Sequence, residues 1–175
     1  GERCCIVSVE ATSLRADVVE PLRTLAARET GCAPNLVWIT VTHTFSSPHV
    51  RTPEHLASDG ERKKNALLRA RLEEATHAAV RQALEALSEA ELLVGNGATT
   101  CNVNRDVETP AGWWLGHNSQ GYSDKRLQSI CLRRSDTEEP IALLFTADVQ
   151  SSVLDKARDA QGNRMVSSDL AGRAS

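Results

Sequence analysis

The sequence predicts an α/β fold: a mixed, largely parallel β-sheet flanked by helices. Two short runs rich in β-branched residues, 4–9 and 36–42, flank a stretch of helical periodicity. Strand, helix and strand at this spacing fit a crossover between parallel strands. A third apolar run, 141–149, reads as another buried strand.

Residues 4–9, Cys-Cys-Ile-Val-Ser-Val, form the first strand. Ser13 is placed to cap a helix reaching about Glu29, with Val18, Leu22, Leu25 and Ala26 on one face and Gly31 as its stop. Residues 36–42, Leu-Val-Trp-Ile-Thr-Val-Thr, carry the strongest strand signal. Ser46, Ser47, Pro48, Pro53, Ser58, Asp59 and Gly60 mark 45–60 as a long loop. Loops of this length in a domain are usually functional or mobile. The clearest helix is 61–87, where Ala66, Leu67, Ala70, Ala78 and Leu84 recur at helical spacing opposite a charged face. Residues 92–99 and 127–133 read as strands, 100–124 as irregular, and the tail after Gln150 as polar with a short helix near Leu170.

A chain of 175 residues is long enough for a single domain, 1–175, with its own core. Aromatics are 3%, so that core must rest on Leu, Val, Ile and Ala. A net charge of -3 without a basic stripe argues against nucleic-acid binding. No run of eighteen apolar residues is present, so no transmembrane segment is expected and the chain reads as soluble. Gly1-Glu2-Arg3 leads straight into a strand without an initiator Met or signal peptide. We therefore expect upstream sequence to be missing, with the compartment, cytoplasmic or exported, left open. The five cysteines lack any CxxC pair, which favours buried free thiols over a cysteine zinc cage.

Four segments carry candidate chemistry. His43 ends a strand in Thr-His-Thr, which projects an imidazole from the sheet end, and His49 follows on the loop. Imidazole is the commonest metal ligand and the natural acid or base near neutral pH, although a strand-end histidine is as often a hydrogen-bonded structural residue. Asp148 lies beyond the last apolar run, either solvated or a ligand beside His43, and Gln150 follows it as a hydrogen-bonding group for substrate. Arg105, beside Asn104, can stabilise an oxyanion or form a surface pair with Asp106. Trp113 and Trp114, adjacent in a polar stretch, can wall an apolar pocket or plug the core.

Taken in chain order, these segments resemble the neutral/alkaline (non-lysosomal) ceramidase family, in its N-terminal catalytic region. The family's Thr-His-Thr-His-Ser-Gly-Pro is similar to Thr42-His43-Thr44-Phe45-Ser46-Ser47-Pro48. Its Asn-Arg loop, its Asp-Lys and its Ala-Cys-His-Pro-Thr resemble Asn104-Arg105, Asp124-Lys125 and Ala147-Asp148-Val149-Gln150-Ser151. Its Ile-Ser-Ala-Asp-x-Pro-Gly resembles Val166-Ser167-Ser168-Asp169-Leu170-Ala171-Gly172.

The resemblance implies a zinc-dependent amidohydrolase acting on an N-acyl amide, possibly of a sphingolipid, with His43 as a zinc ligand and Arg105 near the reacting amide. Phe45 and Val149 stand where the family has histidines, so His49 or Asp148 would have to substitute. The family's Glu and Tyr ligands and its serine nucleophile would fall beyond Ser175. That implies a partner: the remaining part of the catalytic domain, or another chain. Two alternatives stand beside this one. One is a non-catalytic binding or scaffold protein on a degenerate ceramidase-like fold. The other is a hydrolase of a different amide or ester with a rearranged metal site built from His43, His49 and Asp148.

Overall fold

In the computed structural model, which describes residues 2–174, β1 (Cys5–Val9) and β2 (Val37–Val41) pair in parallel, from Cys5 opposite Val37 to Val9 opposite Val41. The helix α1 (Ala16–Thr30) connects them and buries Val18, Leu22 and Ala26. Its N-cap is Arg15 rather than Ser13, and no side chain caps it. Gly31 closes it at φ 69°, a left-handed conformation that costs glycine least, and donates its N–H to the Ala27 carbonyl.

The long helix α2 (Asp59–Glu85) begins with a capping box. The Ser58 hydroxyl accepts from the Glu61 N–H at 3.2 Å, and the Glu61 carboxylate accepts from the Ser58 N–H at 3.1 Å. Only Thr76 and Val80 of this helix are buried. Val80 joins Ala26, Cys32 and Val37 in the core, with Cys5, Val7, Ile39 and Leu84 packed around them. These residues belong to one compact unit, which runs to Leu87 and resumes at Gln150. The returning segment ends in the short helix α3 (Asp169–Ala174).

The second unit is Ser88–Val149. Its strands β3 (Ala90–Ala98), β6 (Arg126–Arg134) and β7 (Pro140–Ala147) form an antiparallel sheet in the order β3-β6-β7. Between β3 and β6 in sequence, β4 (Asn104–Thr109) and β5 (Gly112–Asn118) form an antiparallel hairpin.

The largely parallel, helix-flanked sheet expected from the sequence is therefore not the fold. Only β1 and β2 are parallel, and most pairing is antiparallel. Connection length explains this. Five residues link β6 to β7 and two, Pro110 and Ala111, link β4 to β5, whereas a parallel crossover needs about a dozen. The hairpin also replaces the irregular stretch expected over 100–124. Its Asn- and Gly-rich composition hides a pairing held by side chains, with the Thr109 hydroxyl donating to the Gly112 carbonyl and Asn118 Nδ2 to the Asp106 carbonyl.

Burial differs as well. The apolar run expected to be a buried strand lies mostly in β7, where Leu143 is 58% exposed, and Leu92 and Val94 of β3 are exposed too. Register puts Val94, Ile130 and Leu144 in one cross-strand row and Leu93, Cys131 and Leu143 in the next, on the opposite face. An unbroken apolar run dresses both faces of a sheet. Alone it does not say whether either face is covered. Of the five cysteines, all free, Cys32 is buried, Cys5 and Cys131 are half-buried, and Cys4 and Cys101 are exposed. Among the described residues no helix is long and apolar enough to cross a membrane.

The contrast between the two units is measurable by chemical denaturation. Leu22→Ala removes a side chain that is 1% exposed and should cost about 2–5 kcal/mol. Leu143→Ala should cost under about 1 kcal/mol, because its side chain is already largely in contact with solvent. Similar losses at both positions would contradict the exposed antiparallel sheet.

Candidate functional site

Parallel strands β1 and β2 end side by side, and the loops that follow them build the candidate site. This is where ligands gather in α/β sheets, beyond the carboxyl ends of the strands. β2 ends at Val41, and Thr42 still donates its N–H to the Val9 carbonyl at 3.1 Å. The chain then turns sharply, because His43 adopts φ 57°. Histidine visits this left-handed region more readily than most residues, at a cost of about 1–3 kcal/mol.

Two hydrogen bonds to Thr12, in the loop after β1, hold that turn. The Thr12 hydroxyl donates to the Thr44 carbonyl at 2.7 Å. The Thr12 carbonyl lies 2.6 Å from His43 Nδ1. A carbonyl can only accept, so Nδ1 carries the proton, and the uncharged ring keeps its lone pair on Nε2. This is the tautomer required of a general base or of a metal ligand acting through Nε2. Phe45 meets the imidazole edge-on, with ring centroids 5.1 Å apart and planes at 87°. Its aromatic wall stands where the family resemblance would have a second histidine.

Below His43 the loop is clamped to the returning segment. Thr44, fully buried, donates its hydroxyl to the Ser167 carbonyl at 2.7 Å. The Ser46 hydroxyl donates to the Leu154 carbonyl at 2.9 Å, and the Phe45 N–H donates to the Ser151 carbonyl at 3.1 Å. Asp169, only 2% exposed, secures the other side by accepting from the Leu154 and Leu170 N–H groups, each at 2.7 Å. His49 is exposed and lines a concavity of about 260 Å³ that Phe45 also lines. Gln150 is exposed, and its carbonyl accepts from the Ser152 N–H.

The remaining candidates lie in the second unit. Asn104 and Arg105 sit where the β4–β5 register shifts, an irregularity of the kind that re-aims side chains. Asn104 Nδ2 donates to the Tyr122 carbonyl at 2.8 Å, and its Oδ1 accepts from the Asp106 N–H at 2.9 Å. Arg105 Nε donates to the Gly116 carbonyl at 2.5 Å. Trp113 and Trp114, neighbours along β5, point to opposite faces and are both exposed. They therefore do not form one wall. Asp148 lines a separate, polar concavity with Asp124 and Arg126. There the Arg126 guanidinium and the Arg126 N–H hold the Asp124 carboxyl down at about 2.

A zinc site needs about four ligands of His, Cys or carboxylate type. Among the described residues no group of three His, Cys, Asp or Glu could hold a metal ion. His43 offers one nitrogen, and the described residues of this chain do not fit zinc as a complete site.

No protein-family model, no curated protein and no solved structure matches this chain.

Sequence reasoning singled out His43 but missed the residue that orients it. Thr12 lies 31 positions away, in a stretch without any motif. Lys156 and Arg164, which share the concavity with His49, were also unmarked, because no periodicity or spacing sets them apart. Arg126 was hidden beside the quoted Asp124-Lys125 pair.

Arg126→Ala should return the Asp124 carboxyl towards the ordinary aspartate range, upward from about 2. Carbon-detected NMR titration of the side chain reads this directly. The sign follows from linkage: the depressed carboxyl stabilises the fold above its unfolded value, about 4, and that contribution fades as pH falls towards 2. A carboxyl still titrating near 2 in the variant would show that Arg126 is not the cause.

Proposed function

We propose that this chain carries the base of an amide hydrolase similar to the ceramidases, acting on an N-acyl amide. The observation that supports the reading is the imidazole of His43: its Nδ1 is held by the Thr12 carbonyl at 2.6 Å, and the residue is exposed at the strand end. In the proposed reaction Nε2 takes a proton from water as the oxygen bonds to the acyl carbon. The bond from Nδ1–H to Thr12 strengthens as the ring becomes positive. Nε2 then returns the proton to the departing nitrogen as the C–N bond breaks, leaving a carboxylic acid and an amine, between which a proton passes to give carboxylate and ammonium.

A second reading has a specific observation behind it. Phe45 replaces an expected ligand, and the described residues assemble no metal set. Both favour a binding protein on a degenerate ceramidase-like fold.

Turnover separates the two. The full chain and His43→Gln are assayed against N-acyl amides, from short N-acyl amines to N-acyl sphingoid bases. The hydrolase reading expects acid release by the parent chain, falling about 10²–10⁴-fold in the variant. Equal release by both would remove His43 from the chemistry. Absence of release by the parent would leave the binding protein.

A further inference from the structure

The concavity beside Phe45 has a composition that nothing in the hydrolase reading uses. Its volume is about 260 Å³, near the lower limit for small-molecule pockets. Phe45, Met165 and Val166 give it apolar lining. His49, Lys156 and Arg164 also line it, and among the described residues no carboxylate does.

The basic residues are brought together by a tight return of the chain. Met165 donates its N–H to the Ala157 carbonyl at 3.0 Å, and Arg158 and Arg164 form a bridge pair. Asp159 locks the turn between them. Its carboxylate accepts from the N–H groups of Gln161 at 2.9 Å and Asn163 at 2.8 Å, and from Asn163 Nδ2 at 3.0 Å. Lys156 and Arg164 thus reach one cup from eight positions apart. The buried Thr44 and Ser46 fix the 45–49 loop through their hydroxyls.

Charge is left over in this cup. Among the described residues Arg164 has one weak ion-pair partner, Asp155, at 3.7 Å. Lys156 has no ion-pair partner among the described residues. It also sits at φ 66°, in the left-handed region that a lysine rarely occupies. Backbone strain of this kind gathers at ligand clamps, where the surrounding structure enforces it.

We propose that this cup binds a small organic carboxylate with a short apolar body, the carboxylate on Lys156 and Arg164 and the body against Phe45 and Met165. An ammonium and a guanidinium suit a carboxylate, and the neighbouring apolar side chains offer contact to its hydrocarbon body. The volume admits a chain of roughly six carbons or a single ring. The proposal stands independently of the hydrolase reading. Where that reading holds, the acid released from a short N-acyl amide is one source of the ligand.

NMR titration of the isotope-labelled full chain tests it, with sodium hexanoate as the probe and hexanamide and inorganic phosphate as controls. Hexanoate should give saturable shifts confined to residues 45–49 and 156–166, with hexanamide at least about tenfold weaker. Lys156→Asn keeps a residue that accepts the left-handed backbone and removes the charge. It should weaken hexanoate about tenfold, while Lys156→Arg retains binding. Leu143→Ala, an exposed position in the second unit that lines neither site, should leave the affinity unchanged. Phosphate binding as well as hexanoate would overturn the apolar half of the proposal. Shifts that never saturate, or that spread over the whole surface, would overturn it entirely.

Discussion

At 2.6 Å, the bond between His43 Nδ1 and the Thr12 carbonyl ties together the loops that leave β1 and β2. Both loops start from one parallel strand pair, so their separation is set by the sheet, and the imidazole is positioned by backbone rather than by flexible side chains. The Thr12 hydroxyl adds a second tie, to the Thr44 carbonyl. Thr44 in turn reaches Ser167, and Ser46 reaches Leu154. The imidazole, the aromatic wall of Phe45 and the basic cup beyond it therefore hang from one hydrogen-bonded frame. The left-handed backbone at His43 is maintained by that frame.

The parts of the fold that were legible in the sequence are those fixed by local periodicity. The stretch from Val18 to Ala26 announces α1, and Leu36 to Thr42 announces β2, because burial against a single core imposes a period on each. The repeat from Ala66 to Leu84 announces α2, although its capping box, Ser58 with Glu61, lies partly in the stretch read as loop. What failed was orientation. Ile-Ala-Leu-Leu-Phe reads the same in a parallel sheet covered by helices and in an antiparallel sheet with exposed leucines. Only the five-residue link after Arg134 separates the two, by being too short for a crossover.

The site divides in the same way. His43 was visible because a strand ended there in a polar triplet. Its partner Thr12 was not, since a contact spanning 31 positions leaves no local trace. Lys156 and Arg164 were invisible for a related reason: the Asp159 turn that joins them is built from side-chain hydrogen bonds to the backbone, not from an apolar repeat. Trp113 and Trp114 looked like one feature in the sequence. Strand alternation sends them to opposite faces of the hairpin.

The claim on which the functional account rests is the tautomer of His43. Long-range nitrogen–proton NMR correlation of the neutral imidazole distinguishes the two nitrogens directly. The account predicts a protonated Nδ1 and an unprotonated Nε2, with Nδ1 reporting a hydrogen bond. A ring protonated on Nε2 would contradict it, because the Thr12 carbonyl would then face a lone pair and His43 would have no base to offer at the open side of the strand end.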